Sequence, residues 1–118
     1  GSPFPTVEHN GIQHRIGQGN NAFVFPGIGL GAIAGRARQI TDDMCTAGAL
    51  ALYAATPLDE SAVFPSIEQF REVSVSVAVA VAQEAARSGV GGVGLSDDVE
   101  AAVREQMWYP AYLPYQRK

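Results

Sequence analysis

Residues 73–81 read Val-Ser-Val-Ser-Val-Ala-Val-Ala-Val. Strict alternation of apolar and small residues is the pattern of a half-buried strand, and a run this long decides between a sheet and a helical fold. The flanks favour a helix. No turn residue interrupts Ile67 to Ser88, and the stretch opens after Pro65 with Ser66 three residues before Gln69, the spacing of a capping box. Ile67, Phe70, Val77 and Val81 fall on one helical stripe, and Gly89 supplies a C-terminal stop. A helix is therefore predicted over 67–88, with a strand as the competing reading.

The neighbouring segments carry helix signals of their own. A first helix is predicted from Pro26, a residue suited to the first helical position, to near Arg38. Within it Gly27, Gly31 and Gly35 recur every four residues and so share a face. Each glycine costs a helix roughly 0.5–1 kcal/mol relative to alanine, so the pattern implies close packing against another backbone. A second helix follows Thr41 as N-cap, with Asp42 and Asp43 favoured in its first turn by the helix dipole, and stops at Thr56-Pro57. Gly91-Gly92-Val93-Gly94 reads as a loop. The helix after it is predicted to be capped by Ser96, with Asp97, Asp98 and Glu100 in its first turn and an apolar stripe of Val99, Ala102, Val103 and Met107.

Two segments are not helical. Val7–His9 and Ile12–Ile16 flank Asn10-Gly11, the strongest short hairpin signal, because both turn residues tolerate positive φ. The tail from Trp108 to Tyr115 is aromatic and broken by prolines, and is predicted to lie extended against another surface. The fold class is thus mainly α with a small N-terminal β-hairpin. It divides into a hairpin and loop over 1–21, a helical layer over 22–107 and an extended tail over 108–118.

Composition narrows the functional classes. A chain of 118 residues is one domain at most, or a piece of a larger one. The net charge of −4 and the lone lysine, Lys118, argue against a nucleic-acid surface, which needs clustered basic residues. The apolar stretch from Ala22 to Gly35 is too short to span a membrane and contains Pro26. Cys45 is the one cysteine, so no internal disulfide forms, which suits a reducing, cytoplasmic setting.

Each candidate site has a plainer alternative. Gly27-Ile28-Gly29-Leu30-Gly31 resembles a dinucleotide fingerprint, but its third glycine comes one residue early, and helix packing is the better reading. His9 and His14 lack the carboxylate or thiol neighbours of a metal site. Asp42-Asp43 reads as a dipole-favoured pair and Cys45 as an inert thiol with no activating base nearby in sequence. Asn20-Asn21, inside Gly17-Gln18-Gly19-Asn20-Asn21, is evenly balanced. Neutral amides offer donors and acceptors without charge. The flanking glycines permit an unusual backbone path and close approach by a ligand, and a helix N-terminus near Pro26 favours an anion. The plainer alternative is a simple turn.

The run Ile16-Gly17-Gln18-Gly19-Asn20-Asn21, followed by Phe25-Pro26-Gly27-Ile28-Gly29-Leu30-Gly31, resembles the C-terminal part of malic enzymes, the oxaloacetate-decarboxylating malate dehydrogenases. Gly1-Ser2-Pro3-Phe4, Ile40-Thr41-Asp42, Phe64-Pro65 with Arg71-Glu72-Val73-Ser74, and Met107-Trp108 support the resemblance in order and spacing. It covers the whole chain but only about the last quarter of a typical member. It implies the C-terminal part of an α/β Rossmann-type NAD(P)-binding domain. The implied reaction is oxidation of malate with NAD or NADP and decarboxylation through oxaloacetate to pyruvate and CO₂, aided by Mg²⁺ or Mn²⁺. It implies that Asn21 first, and Asn20 second, contact the substrate, with Asn20 also reaching the cofactor. The family's catalytic lysine and tyrosine, its acidic metal ligands and its nucleotide loop have no counterpart in this sequence. The resemblance therefore implies an enzyme fragment, inactive alone, whose partners are the rest of the polypeptide and further copies of itself in a homo-oligomer. A stand-alone helical interaction module, recruited through its aromatic tail, is the alternative.

Overall fold

The computed structural model describes residues 2, 4–57, 63–92 and 98–115. Strands β1 (Val7–His9) and β2 (Ile12–His14) pair antiparallel with Val7 opposite His14 and His9 opposite Ile12. The turn between them takes positive φ at both residues, 52° at Asn10 and 74° at Gly11, as Asn-Gly predicts. After the loop come α1 (Phe25–Ala34), α2 (Asp42–Ala55), α3 (Phe70–Arg87) and α4 (Val99–Gln106).

The alternating valines lie in α3, and the helix explains the alternation. Residues two apart on an α-helix point in nearly opposite directions, about 200° apart, whereas residues four apart share a face. Val73, Val77 and Val81 therefore face one way and join Phe23, Met44 and Ala85 in one core. Val75 and Val79 face the other way and pack with Ala34, Ala78, Val103 and Leu30. A period of two here records a helix buried on both sides. Helix α3 is the central element: α1 and α2 both pack on it, and α4 packs against α3 and the end of α1. The predicted stripe is half right: Val77 and Val81 are fully buried, but Ile67 is exposed. It sits in a short 3₁₀ turn, Ile67–Gln69, ahead of α3. Gln69 Oε1 accepts the Ser66 N–H at 3.1 Å, the reciprocal half of the predicted capping box.

The glycine face of α1 packs on α3. A Cβ at Gly27 would lie 2.6 Å from Val77 Cβ and 2.9 Å from the Ser74 carbonyl oxygen. One at Gly35 would lie 3.2 Å from Ala82 Cα. Helix α1 is shorter than predicted, ending at Ala34 rather than near Arg38. The stop is made by Arg36, at φ 48°, with the Arg36 N–H donating to the Ile33 carbonyl and the Ala37 N–H to the Ala32 carbonyl. That is a Schellman ending, built on an arginine where a glycine is usual, so its signal was absent from the sequence. The same ending closes α3 on Gly89, at φ +72°, with the Val90 N–H on the Ala85 carbonyl.

Nothing lies within 4 Å of a Cβ placed at Gly89, so substitution there isolates the backbone cost. Gly89→Ala is expected to lower stability by about 1 kcal/mol, the penalty of a left-handed L-residue. Gly29, also in open space but inside α1, provides the opposite sign. Gly29→Ala is expected to add roughly 0.5–1 kcal/mol. Urea midpoints of the two variants check both, and equal shifts in one direction would contradict the assignment.

Helix α2 begins as predicted, with Thr41 Oγ1 accepting the Met44 N–H at 3.3 Å. Helix α4 does not. Asp98 stands at its N-cap, accepting the Ala101 N–H at 2.9 Å, so Asp98 is the cap rather than a first-turn acid. Ser96 and Asp97, like Val93 and Gly94, lie outside the described residues. Three members of the predicted α4 stripe pack as expected, with Val103 buried and Val99 and Met107 beside it. Arg104 fastens α4 to α3. Its guanidinium donates to both oxygens of Glu72, at 2.8 and 3.3 Å, and to Glu100 at 2.8 Å. The Arg104 hydrogen bond holds the Glu72 carboxyl below its usual range. The tail beyond is tied to the helices at its start: Arg71 donates to the Trp108 carbonyl at 3.2 Å and lies 4.8 Å from the Tyr109 ring centre. Tyr112, Leu113 and Tyr115 stand in solvent, so among the described residues the end of the tail does not lie against the predicted surface. No helix among the described residues is long and apolar enough to cross a membrane.

Candidate functional site: the asparagine loop

Between β2 and α1 the chain runs through Gly17-Gln18-Gly19-Asn20-Asn21 into a 3₁₀ turn, Asn21–Phe23. The two asparagines do different things. Asn20 is extended, at φ −135° and ψ 132°, and its Oδ1 accepts the Ala22 N–H at 2.9 Å. Its backbone carbonyl accepts the Phe23 N–H at 3.1 Å. Asn20 is therefore a turn cap of the kind its side chain favours. Asn21 gives its backbone carbonyl to the Val24 N–H at 3.1 Å, and its side chain is exposed.

The loop is anchored on both sides of Asn21. On the C-terminal side Phe23 is wholly buried in the larger core. On the N-terminal side Phe64 closes on the glycines. A Cβ at Gly19 would sit 3.1 Å from Phe64 Cε2 and 3.3 Å from Cζ. One at Gly17 would meet the backbone nitrogens of Phe64 and Val63 at 3.5 and 3.6 Å. Neither glycine has positive φ; Gly11 and Gly89 are the described glycines that do. The expectation of an unusual backbone path at Gly17 and Gly19 is thus corrected: within this chain the space they leave is taken by Phe64. Phe64 was missed as a site neighbour by reasoning on the loop alone. The signal was the glycine on alternate positions, which marks close approach by something, here an aromatic ring.

Helix α1 starts four residues after Asn21. Val24 caps it without a side-chain hydrogen bond, and Pro26 sits in the first turn. Its N-terminal end therefore carries uncapped N–H groups and a partial positive charge. The Gly27-Ile28-Gly29-Leu30-Gly31 run lies inside this helix, not at a strand-to-helix turn, so it packs rather than cradles a phosphate. His9 and His14 stand with ring centres 6.4 Å apart on the hairpin, and Asp42, Asp43 and Cys45 are exposed on α2. No group of three His, Cys, Asp or Glu side chains among the described residues could hold a metal ion.

The same segment that forms the hairpin, the asparagine loop and the helices through Ala86 matches a family model, the malic enzyme NAD-binding domain, over residues 1–86. The chain belongs to the malic enzyme family. Relatives agree. NAD-dependent malic enzyme 3 of Bacillus subtilis is 45% identical over 116 residues, covering 97% of this chain and 20% of the relative. The NAD-dependent malic enzyme of Pseudomonas syringae pv. tomato is 40% identical, covering 100% of this chain and 22% of the relative. NAD-dependent malic enzyme 1 of Vibrio vulnificus is 38% identical, covering 99% and 21%. The chain thus spans about a fifth of the length of these malic enzymes. The alignments extend past the family-model match through α4 and the tail, so those elements also have counterparts in the malic enzymes.

Proposed function

We propose that this chain is the segment of an NAD- or NADP-dependent malic enzyme that presents Asn21 to the substrate. The reaction is oxidative decarboxylation of malate to pyruvate and CO₂, with Mg²⁺ or Mn²⁺. The carrying observation is the division of labour in the loop: the Asn20 carboxamide oxygen is engaged on the Ala22 N–H, while Asn21 is left exposed between two anchors. Asn21 offers donors to a malate carboxylate or hydroxyl without a fixed charge. A neutral partner binds the carboxylate yet does not hold back the group that leaves as CO₂. Asn20 fixes the turn through its oxygen, and its Nδ2 remains a donor for contact with the cofactor.

The groups that hold the cofactor and metal belong, in this reading, to the rest of the polypeptide. Exposed Phe25, Ile33, Leu50 and Tyr53 give that polypeptide an apolar surface to cover, as the outer helical layer of a Rossmann-type domain requires. The exposed tail suits a contact with a second subunit, and the setting is cytoplasmic. Family membership leaves no ground for a module without an enzymatic parent.

Two expected results test the assignment. The isolated chain, mixed with malate, Mn²⁺ and NAD or NADP, produces no reduced cofactor by absorbance; turnover above the protein-free blank would overturn the placement of the catalytic groups elsewhere. In the full-length enzyme, Asn21→Ala impairs malate turnover more than Asn20→Ala does. The reverse order would assign substrate contact to the wrong asparagine.

A further inference from the structure

We infer that Phe64 is a positioning residue for malate turnover: its ring seats the Gly17–Asn20 backbone and thereby sets where Asn21 presents its amide. The inference rests on the substrate-contact reading of Asn21 and adds a residue from a distant part of the sequence to it. Three observations carry it. The ring is in such close contact with Gly19 that an added methyl would lie 3.1 Å away, so ring and loop backbone fit each other at Gly19. The ring itself is braced, being partly buried against the core that contains Phe23 and lining a groove with Leu52, Tyr53 and Thr56 at the end of α2. Its backbone is restrained as well, because Phe64 precedes the buried Pro65, and a residue before proline is held to extended conformations.

The consequence is mechanical. Phe23 fixes the loop after Asn21 from within the core, and Phe64 fixes it before Asn20 from outside. With one anchor removed, the 3₁₀ turn keeps its Asn20 cap but loses its seat. Asn21 then samples positions away from the one that meets substrate. Phe64 meets the loop at Gly17 and Gly19, so its effect on turnover passes through the backbone to the asparagine.

The test is a double-mutant cycle in the full-length enzyme, with amide hydrogen exchange on the same proteins. A misplacement of about 1 Å costs up to about 100-fold in rate, and Phe64→Ala is expected to lower kcat/KM for malate about 10-fold. Phe64→Leu, which retains a bulky apolar side chain, recovers most of that loss. KM for the nicotinamide cofactor stays within about 2-fold, since most cofactor contacts are assigned to the rest of the polypeptide. In the Asn21→Ala background, Phe64→Ala adds less than about 2-fold, because the group it positions is already gone. Exchange of the Ala22, Phe23 and Val24 amides rises in Phe64→Ala with the rest of the chain still protected. Full additivity of the two substitutions, or unchanged exchange at those amides, overturns the inference. If Asn21→Ala alone leaves malate kinetics unchanged, the substrate-contact reading fails instead, and the exchange data still decide whether Phe64 holds the loop.

Discussion

Gly31→Ala is expected to destabilise the chain by about 2 kcal/mol, although it adds one methyl group to a helix and alanine is the better helix former. The added Cβ would collide with the Ala78 carbonyl oxygen and lie 2.8 Å from Val81 Cβ and 3.0 Å from Ala78 Cα. The first and last of these are backbone atoms of α3 and cannot move aside by a rotamer change. Inserting a methyl into a filled core costs typically 1–3 kcal/mol, and where backbone must shift the upper end applies. The helical preference of alanine offsets roughly 0.5–1 kcal/mol. Gly48→Ala in α2 is the useful comparison, because its Cβ would meet the side-chain ends of Ile28, Val77 and Val81 at 3.3 Å. Those atoms can yield by a few tenths of an ångström, so Gly48→Ala is expected to shift stability by less than about 1 kcal/mol. Urea denaturation of both variants gives the two numbers. A Gly31→Ala midpoint at or above that of the parent would mean that α1 and α3 do not cross at this distance.

Much of this fold was legible because local signals agreed with packing. Asn10-Gly11 specifies its turn by positive φ, Thr41 caps α2, and the Gly27–Gly31–Gly35 spacing announces the α1–α3 crossing. The valine alternation was legible only through its context, since a period of two is shared by a strand and by a helix buried on opposite faces. What escaped was set by tertiary contacts. Arg36 takes a left-handed conformation because the Ala37 and Arg36 N–H groups close on α1 and the Gly92 N–H binds the Gly35 carbonyl at 2.9 Å; no residue type signals that. Asp98 displaced the predicted cap because several residues before α4 can all serve as N-cap, and the sequence alone does not rank them.

The site was legible in a different way. Asn20-Asn21 stood out by chemistry, but their separate roles depend on which amide turns inward to cap, a matter of one backbone conformation. Phe64 lies more than forty residues further on, and its meeting with Gly19 follows from how α2 and α3 pack, which no local pattern encodes.

The largest functional effect is expected at Asn21. Removing its amide deletes a hydrogen bond to a charged or charge-developing group, worth roughly 1.5–3 kcal/mol, which corresponds to about a 10- to 150-fold fall in kcat/KM for malate. Nucleotide affinity changes far less, because the cofactor's main contacts are assigned to the rest of the polypeptide. Asn20→Ala loses the cap on the Ala22 N–H and is milder, and Asn10→Ala, in the hairpin turn, leaves the kinetics alone. The decisive measurement is steady-state kinetics of these three variants in the full-length enzyme, with circular dichroism establishing that each is folded. The expected result is a fall of at least about 10-fold in kcat/KM for malate in Asn21→Ala alone; wild-type kcat/KM in that variant would mean that both asparagines only form the turn.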